Sequence, residues 1–548
     1  MHPALAARPR LPAPSLPVSS PMLRLKPLPH WVACGLLSLL GSGTAGAADA
    51  PTAPPAPQAA DAAASFRLRE VRFNPTVAVP EADLQQVVRP FIGREIASGD
   101  LVKVSTAIRR LYEARGYGLM GMGFVNQDLS DGILQVTIVE PRITRVLVDS
   151  TGKPPVSEER AQGMLARSGV LAGQPLNLAQ VDRAMFTLND WPGVKARTTL
   201  TPGGDEGSYT VAVQTERGRA WEASVDADNH GTSLSGRYRA GVLLRWNNPT
   251  GTGDNLDLRA VASSGSGNTI GRLSYERPVG ASPWRAGVGY SRVNYELSER
   301  FDGAVGTADV VDASLSYPLV RSRETNLIGR LGLEDKRLED EFSGLSTEKH
   351  LRAVTANLSF ESRDGLGGGG FNGGSLGLAF GRLADAPDID ASTVGNYSKL
   401  NVQLTRLQAV TRKLSTFVGV AGQWASGNLD NAEKLTLGGA KGVRAYPTAE
   451  AASDLGAILN AELRYWVNPQ WTTFVFHDMA RGRLQKSPSP TSTGGNSRTL
   501  HATGIGVQYT NPELLTLKAT LGVRGDAPVL ADTDSGRTLL LVQVQHAF

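Results

Sequence analysis

The chain has 548 residues, of which 61 are glycine and one is cysteine, with 6% aromatic and 20% charged residues and a formal net charge of +4. That length exceeds one ordinary domain, and so small a net charge gives no electrostatic footprint for nucleic acid, so no nucleic-acid partner is expected. Beyond the N-terminal region no segment offers the run of about 18 apolar residues a transmembrane helix needs, which leaves spanning strands open.

Met22-Leu-Arg-Leu-Lys supplies a basic start, residues 31–40 an apolar run, and Ala45-Gly46-Ala47 a small-x-small cleavage site. Residues 1–48 therefore read as a secretory signal, with Met22 a candidate start. Cys34 lies in this segment, but Trp31 stands where a lipoprotein signal has a small aliphatic residue, so Cys34 reads as part of the signal core. The mature chain is then free of cysteine, which suits an oxidising compartment and promises no disulfide. Residues 49–65 are mostly Ala and Pro. They cannot bury a core, read as a partly extended linker, and give no ground to predict a plug helix.

Between 66 and 218 the hydrophobic period alternates between two and 3.6, twice in the same order. The first unit, 66–141, reads as a strand over 67–74, a short helix from Glu81, and a second helix with Leu101, Val104, Ile108, Leu111 and Tyr112 on one face. Asp100 is the candidate N-cap of that helix and Gly116 its stop. Strands over 119–129 and 133–140 follow. The second unit, 142–218, repeats this with a strand at 143–149, a helix opening at Ser157 before Glu158 and Glu159, a helix over 178–188, and strands at 194–200 and 208–216. This β-α-α-β-β order resembles the polypeptide-transport-associated (POTRA) domain, a periplasmic module. The resemblance implies that unfolded chains bind by joining a sheet edge or lying in a helix-strand groove, as exposed edges permit. A structural spacer is the alternative.

From 219 to 548 the sequence becomes a series of alternating stretches of roughly ten residues, each closed by turn residues. Leu515, Leu517, Ala519, Leu521 and Val523 share one face, with Lys518 and Arg524 on the other. Leu459, Ala461, Leu463, Tyr465 and Val467 oppose Asn460, Glu462 and Arg464. The expected fold is membrane β: a transmembrane barrel of about 16 strands, whose closed ladder satisfies the backbone in lipid and whose charged face lines the lumen. Connections at Asn468-Pro469, Asn511-Pro512 and Thr411-Arg412-Lys413 are short. Those at 485–497, 526–537 and 385–395, and the stretch holding Gly439, are long, which is the asymmetry between the two sides of an outer membrane. Residues 364–373 are longish for a short turn, and 265–267 short for a surface loop. The last strand carries Leu540, Val542, Val544, His546 and Phe548 on one face. Its terminal Phe resembles the signal read by the outer-membrane assembly machinery, with His546 where an aromatic is usual.

Two catalytic patterns match by letters: Gly373-Gly-Ser375-Leu-Gly377 fits a nucleophile elbow, and Gly365-Leu-Gly367-Gly-Gly-Gly370 a dinucleotide loop. Both need a strand, a tight turn and a helix, whereas here a strand follows and a Gly-rich composition explains the match. The seven histidines show no metal spacing. No enzyme activity, metal or cofactor is expected.

The remaining feature is Gly438-Gly439-Ala-Lys-Gly442-Val443-Arg444-Ala445-Tyr446, on the outer side between the eleventh and twelfth strands, with Phe476-His-Asp478-Met-Ala480 on the thirteenth. These resemble the VRG-aromatic loop tip and F-x-D-x-G motif of the outer-membrane assembly and secretion superfamily. With two POTRA-like units and the strand array, the chain resembles the transporters of two-partner secretion (TpsB), the haemolysin and filamentous-haemagglutinin secretion family. The resemblance implies that the loop folds back into the lumen, where Arg444 meets Asp478, and that the partner is a secreted exoprotein (a TpsA-type client). It also implies an outer-membrane location with the POTRA units in the periplasm. An arginine buried in a lumen needs a carboxylate, and its fork can grip one bidentately. Phe474 and Phe476, on the Asp478 face, are expected to pack towards the tip. Ala445 and Ala480 replace the family's glycines, each adding a methyl at a close contact and disfavouring positive φ there. An assembly factor for other barrels and a passive porin or adhesin remain as alternatives.

Overall fold

The computed structural model describes residues 65–548 except 125–126, 266, 298–302, 385–389, 489–494, 512–513 and 531–535. The expected signal segment, and the expected linker up to residue 64, lie outside the described residues.

In the first repeat, α1 (Glu81–Val88) carries Glu81 and Asp83 in its first turn, where the helix dipole favours acids. Helix α2 (Ser98–Ala114) buries Val104, Ile108 and Tyr112, and the sheet buries Val71, Leu134 and Val136. In that sheet Glu70–Phe73 runs parallel to Ile133–Val139, which has Gly121–Phe124 on its other side. Asp100 is not the N-cap. It lies inside the first turn of α2, and its carboxylate accepts the Ala97 N–H at 3.2 Å, reaching back as a capping-box acid does. Among the described residues, the strand expected over 119–129 is Gly121–Phe124, with glycine at two of its four positions; a strand without side chains to pack is weak.

The second repeat follows its sequence pattern closely. Ser157 caps α3 (Glu158–Arg167) by accepting the Arg160 N–H, and Asn177 caps α4 (Leu178–Asn189) by accepting that of Gln180. Met164 and Leu165 of α3, Val181 and Leu188 of α4, Trp191, and Val211 and Val213 of the sheet form one core. Arg142–Ser150 runs parallel to Ser208–Arg217, which pairs antiparallel with Val194–Pro202.

Sixteen antiparallel strands then close a barrel. They are β1 (Trp221–Asp228), β2 (Arg239–Asn247), β3 (Asn255–Ser263), β4 (Thr269–Pro278), β5 (Arg285–Glu296), β6 (Val305–Arg321), β7 (Thr325–Phe342) and β8 (Leu345–Asp364). The second half is β9 (Gly370–Leu383), β10 (Gly395–Ala409), β11 (Leu414–Ala425), β12 (Leu455–Trp466), β13 (Trp471–Arg483), β14 (Ser497–Asn511), β15 (Leu515–Arg524) and β16 (Thr538–Ala547). On β12 and β15, Leu459, Leu463, Tyr465, Leu521 and Val523 point outward and exposed while Glu462 and Thr520 are buried inside, as lipid outside and a polar lumen require. Trp221 stacks on Trp246 and Trp471 packs on Tyr509, at the short-turn ends of their strands.

The longish connection expected at 364–373 is a five-residue turn, 365–369, because β8 continues to Asp364 and β9 already starts at Gly370. Glycines hid that strand: Gly373 and Gly374 carry no alternation, yet the ladder runs through them. Ser375 therefore lies on β9, outside any strand-turn-helix elbow.

The second repeat meets the short-turn end of the barrel. Asp190, after α4, accepts both forks of Arg321 on β6 at 2.7 and 2.8 Å, and that guanidinium lies over Phe186. Arg323 pairs with Asp182 at 3.1 Å, Asn248 donates to the Pro155 carbonyl, and a methyl on Gly253 would strike Trp191. In the same β2–β3 turn Asp254 is buried, which disfavours its charge. The Tyr275 and Thr250 hydroxyls donate to it and hold its carboxyl below the usual carboxylate range.

The barrel closes between β16 and β1 with a short ladder, from Gln543–Asp228 to Ala547–Ser224. Asn229 extends it with its side chain, donating to the Leu540 carbonyl at 2.7 Å and accepting the Val542 N–H at 2.8 Å. The Phe548 N–H donates to Ala223, and the His546 and Phe548 rings meet edge-on. Val542 and Val544 lie in the same closing strand.

Candidate functional site: a loop clasped inside the barrel

Residues 426–454, between β11 and β12, contain the Gly-rich motif. They turn inward. Val443 donates to the Leu437 carbonyl and Gly439 to that of Tyr446, closing a hairpin. Gly439 takes φ +95°, and a methyl on Gly442 would collide with the Leu437 carbonyl, so each glycine meets a specific need of the turn.

The tip presents Arg444, 4% exposed, to the lumenal wall. Its Nε and Nη2 donate to the two Asp478 oxygens at 2.7 Å each, and its backbone N–H adds a third bond to Oδ2 at 3.0 Å. Nη1 donates to Glu462 Oε1 at 2.6 Å, and the guanidinium plane lies 3.7 Å from the centre of the Phe476 ring. Asn460 bridges the pair by donating to Asp478 and to the Gly442 carbonyl. The register explains the convergence. Asn460 stands opposite Asp478 and Glu462 opposite Phe476, and all four point inward. Arg464 donates to the free oxygen of Glu462.

Phe476 thus packs on the tip as expected, whereas Phe474 faces the Lys518 ammonium instead. Both rings lie over glycines of β14, where methyls on Gly504 and Gly506 would hit them. Glycines opposite aromatics make that room.

Ala445 departs from the expectation that its methyl would bar positive φ. It takes φ +74° and is buried, and Gly522 of β15 leaves space for the methyl. Such a conformation costs an alanine roughly 1–2 kcal/mol, and Ala449 and Ala451 share it. Ala480 needs no special dihedral. Its methyl joins Leu437, Val443, Tyr446 and Leu500 in an apolar cluster inside the barrel.

Sequence reading missed Glu462 and Asn460 as partners of the tip, although their inward parity was plain. It also missed a second clasp at the base of the loop. Glu433, 3% exposed, sits between Lys336 of β7 at 2.7 Å and Lys399 of β10 at 2.5 Å. Its neighbour Asp430 pairs with Lys349 of β8 at 3.2 Å. A third pair, Glu450 to Arg498 of β14 at 2.9 Å, holds the returning limb.

A closed 16-stranded barrel preceded by POTRA modules, with an inturned loop gripping its wall through a buried arginine, defines the class of outer-membrane assembly and secretion barrels. Within that class the ShlB-type POTRA profile matches residues 66–141, and the profile of the haemolysin secretion/activation proteins ShlB/FhaC/HecB matches residues 207–509. The chain belongs to that haemolysin secretion/activation family.

Among curated relatives, the heme/hemopexin transporter protein HuxB of Haemophilus influenzae (strain 86-028NP) is 22% identical over 444 residues, 78% of each chain. The outer membrane transporter CdiB of Dickeya dadantii (strain 3937) is 24% identical over 420 residues, covering 73% of this chain and 72% of its own. The hemolysin transporter protein ShlB of Serratia marcescens is 23% identical over 396 residues, 69% and 68% of the two chains. Among solved structures, CdiB from Escherichia coli superposes with a TM-score of 0.73 at 20% identity over 90% of this chain and 93% of its own. BamA from Haemophilus ducreyi, lacking POTRA domains 1–3, gives 0.51 at 12% identity over 88% of this chain and 100% of its own. The chain is accordingly an outer-membrane protein of the two-partner secretion type, with its POTRA domains in the periplasm.

Proposed function

We propose that this transporter takes an unfolded exoprotein from the periplasm on its POTRA pair and passes it through the barrel without ATP. In this reading the loop bearing Arg444 is the gate. The single observation that carries it is the burial of the loop tip against Asp478 and Glu462 inside a closed barrel, since a segment pinned in the lumen stands in the path of any chain crossing it. Gly439, Gly442 and Val443 shape the tip, Ala445 and Tyr446 wedge it against β15, and Phe476, Asp478 and Ala480 form its seat. Folding of the client outside would supply the drive, and Val542, Val544, His546 and Phe548 would be read by the outer-membrane assembly machinery.

The test is secretion of the client by cells carrying Arg444→Ala or Asp478→Ala, with solute flux measured alongside. Reduced secretion supports the gate. Normal secretion with altered flux alone sinks it.

The short β16–β1 ladder favours, as a second reading, a factor that inserts other barrels. Crosslinking from the POTRA pair separates the two: capture of one large secreted chain supports secretion, capture of nascent barrels supports assembly.

A further inference from the structure

The outward face of the barrel is asymmetric in a way that secretion does not require. At the short-turn end it bears aromatic pairs, such as Trp221–Trp246 and Trp284–Tyr317. At the opposite end, over β6 to β10, it bears a groove of about 760 Å³, a volume usual for ligand sites. The floor is apolar and exposed, formed by Val311, Leu333, Val354 and Phe380.

Register places a cationic row directly above that floor. Leu333, Val354 and Phe380 are neighbours across three strands, and one step outward along the same face come Asp335, Arg352 and Arg382, then Arg337 and His350. Asp335 is the carboxylate nearest the floor. Arg352 contacts it at 2.9 Å, His350 at 3.0 Å and Arg337 at 3.9 Å, the two arginines more than 70% exposed. Arg382 has no ion pair among the described residues and lines the groove. Asp309 of β6 stands opposite Arg337 and pairs with Arg292 at 3.3 Å; among the described residues Arg292, Arg337, Arg352 and Arg382 against Asp309 and Asp335 leave an excess of two positive charges at the edge of the apolar belt, before the carboxylates Glu339 and Glu348 begin further out.

We infer that this groove binds a phosphorylated, acylated glycolipid of the outer leaflet. An acyl chain lies along Val311, Leu333, Val354 and Phe380, and a headgroup phosphate meets Arg352 and Arg382. Arginine forks grip phosphate bidentately, and the site offers two within one ladder step. A lipid without phosphate satisfies the floor but leaves Arg382 unmatched and Arg352 with Asp335 alone. A free phosphate satisfies the arginines and leaves the floor uncovered.

The full chain, purified in detergent, is titrated with bis-phosphorylated hexa-acyl lipid A, with its dephosphorylated form, and with inorganic phosphate as competitor, bound lipid being read by native mass spectrometry. The wild type is expected to bind the bis-phosphorylated lipid at least tenfold more tightly than the dephosphorylated one. The Arg352→Ala/Arg382→Ala double variant loses about tenfold. A control on β13, Arg481→Ala/Arg483→Ala, at exposed arginines of the same end, changes less than twofold. Equal losses in the two double variants mean a general basic rim and overturn the site. So does equal binding of the dephosphorylated lipid, or displacement of lipid by inorganic phosphate at matching concentration. Heat-modifiable migration confirms that each variant is folded.

Discussion

Arg444 is over-satisfied for a loop residue, with two carboxylates, a backbone bond and an aromatic face. Burying it costs desolvation that only such partners offset. Asp478→Asn leaves the guanidinium with Glu462 as its one carboxylate, so loop attachment should weaken by about 3 kcal/mol. Hydrogen exchange over residues 436–447 measures it, and protection equal to the wild type would refute the assignment. Ala445 makes the converse prediction. Its positive φ is strained, and Ala445→Gly relieves that strain at a smaller cost in chain entropy, for a net gain of up to about 1 kcal/mol in the same measurement. The Arg444–Asp478 pair was legible because both motif letters survive in sequence and alternation fixes Asp478 inward. Glu462 lacked only a motif. Glu433 was not legible: its partners lie on β7 and β10, 97 and 34 residues away, and no local pattern encodes a lumenal ion pair of that kind.

At the scale of elements, the strands were readable wherever one face met lipid, because alternation is then enforced residue by residue. It failed at the start of β9, where glycines carry no face, and at the edge strand Gly121–Phe124 for the same reason. Capping chemistry located α3 at Ser157, whereas α4 was read from its period alone and its Asn177 cap was missed. The junction between α4 and the β6–β7 turn was invisible, since Asp190 and Arg321 are 131 residues apart. That ion pair is partly exposed, so it contributes no more than about 1 kcal/mol to stability. Asp190→Ala should accordingly leave the barrel's resistance to heat unchanged while raising hydrogen exchange at 321–325 and at the end of α4. A large loss of barrel stability would show that the contact is structural rather than a latch.

For the whole molecule, the loop is held from three sides, at Glu433, Arg444 and Glu450, by strands spread from β7 to β14. Clasps on different strands divide the labour. Releasing the tip alone leaves the base anchored to Lys336 and Lys399, so the loop swings without leaving the lumen. Releasing the base alone leaves the tip on β13. Coupled contacts on one loop are non-additive, so Glu433→Gln and Asp478→Asn should each change single-channel conductance modestly. The double variant should open a larger, more persistent conductance in planar bilayers than either single variant, because only Arg444–Glu462, Glu450–Arg498 and Asp430–Lys349 then hold the loop. Secretion should fall in the tip variant and fall further in the double variant if the loop guides the client as well as gating it. Conductance in the double variant equal to the product of the two single effects would mean that the clasps act independently and that the two ion pairs do not form one gate.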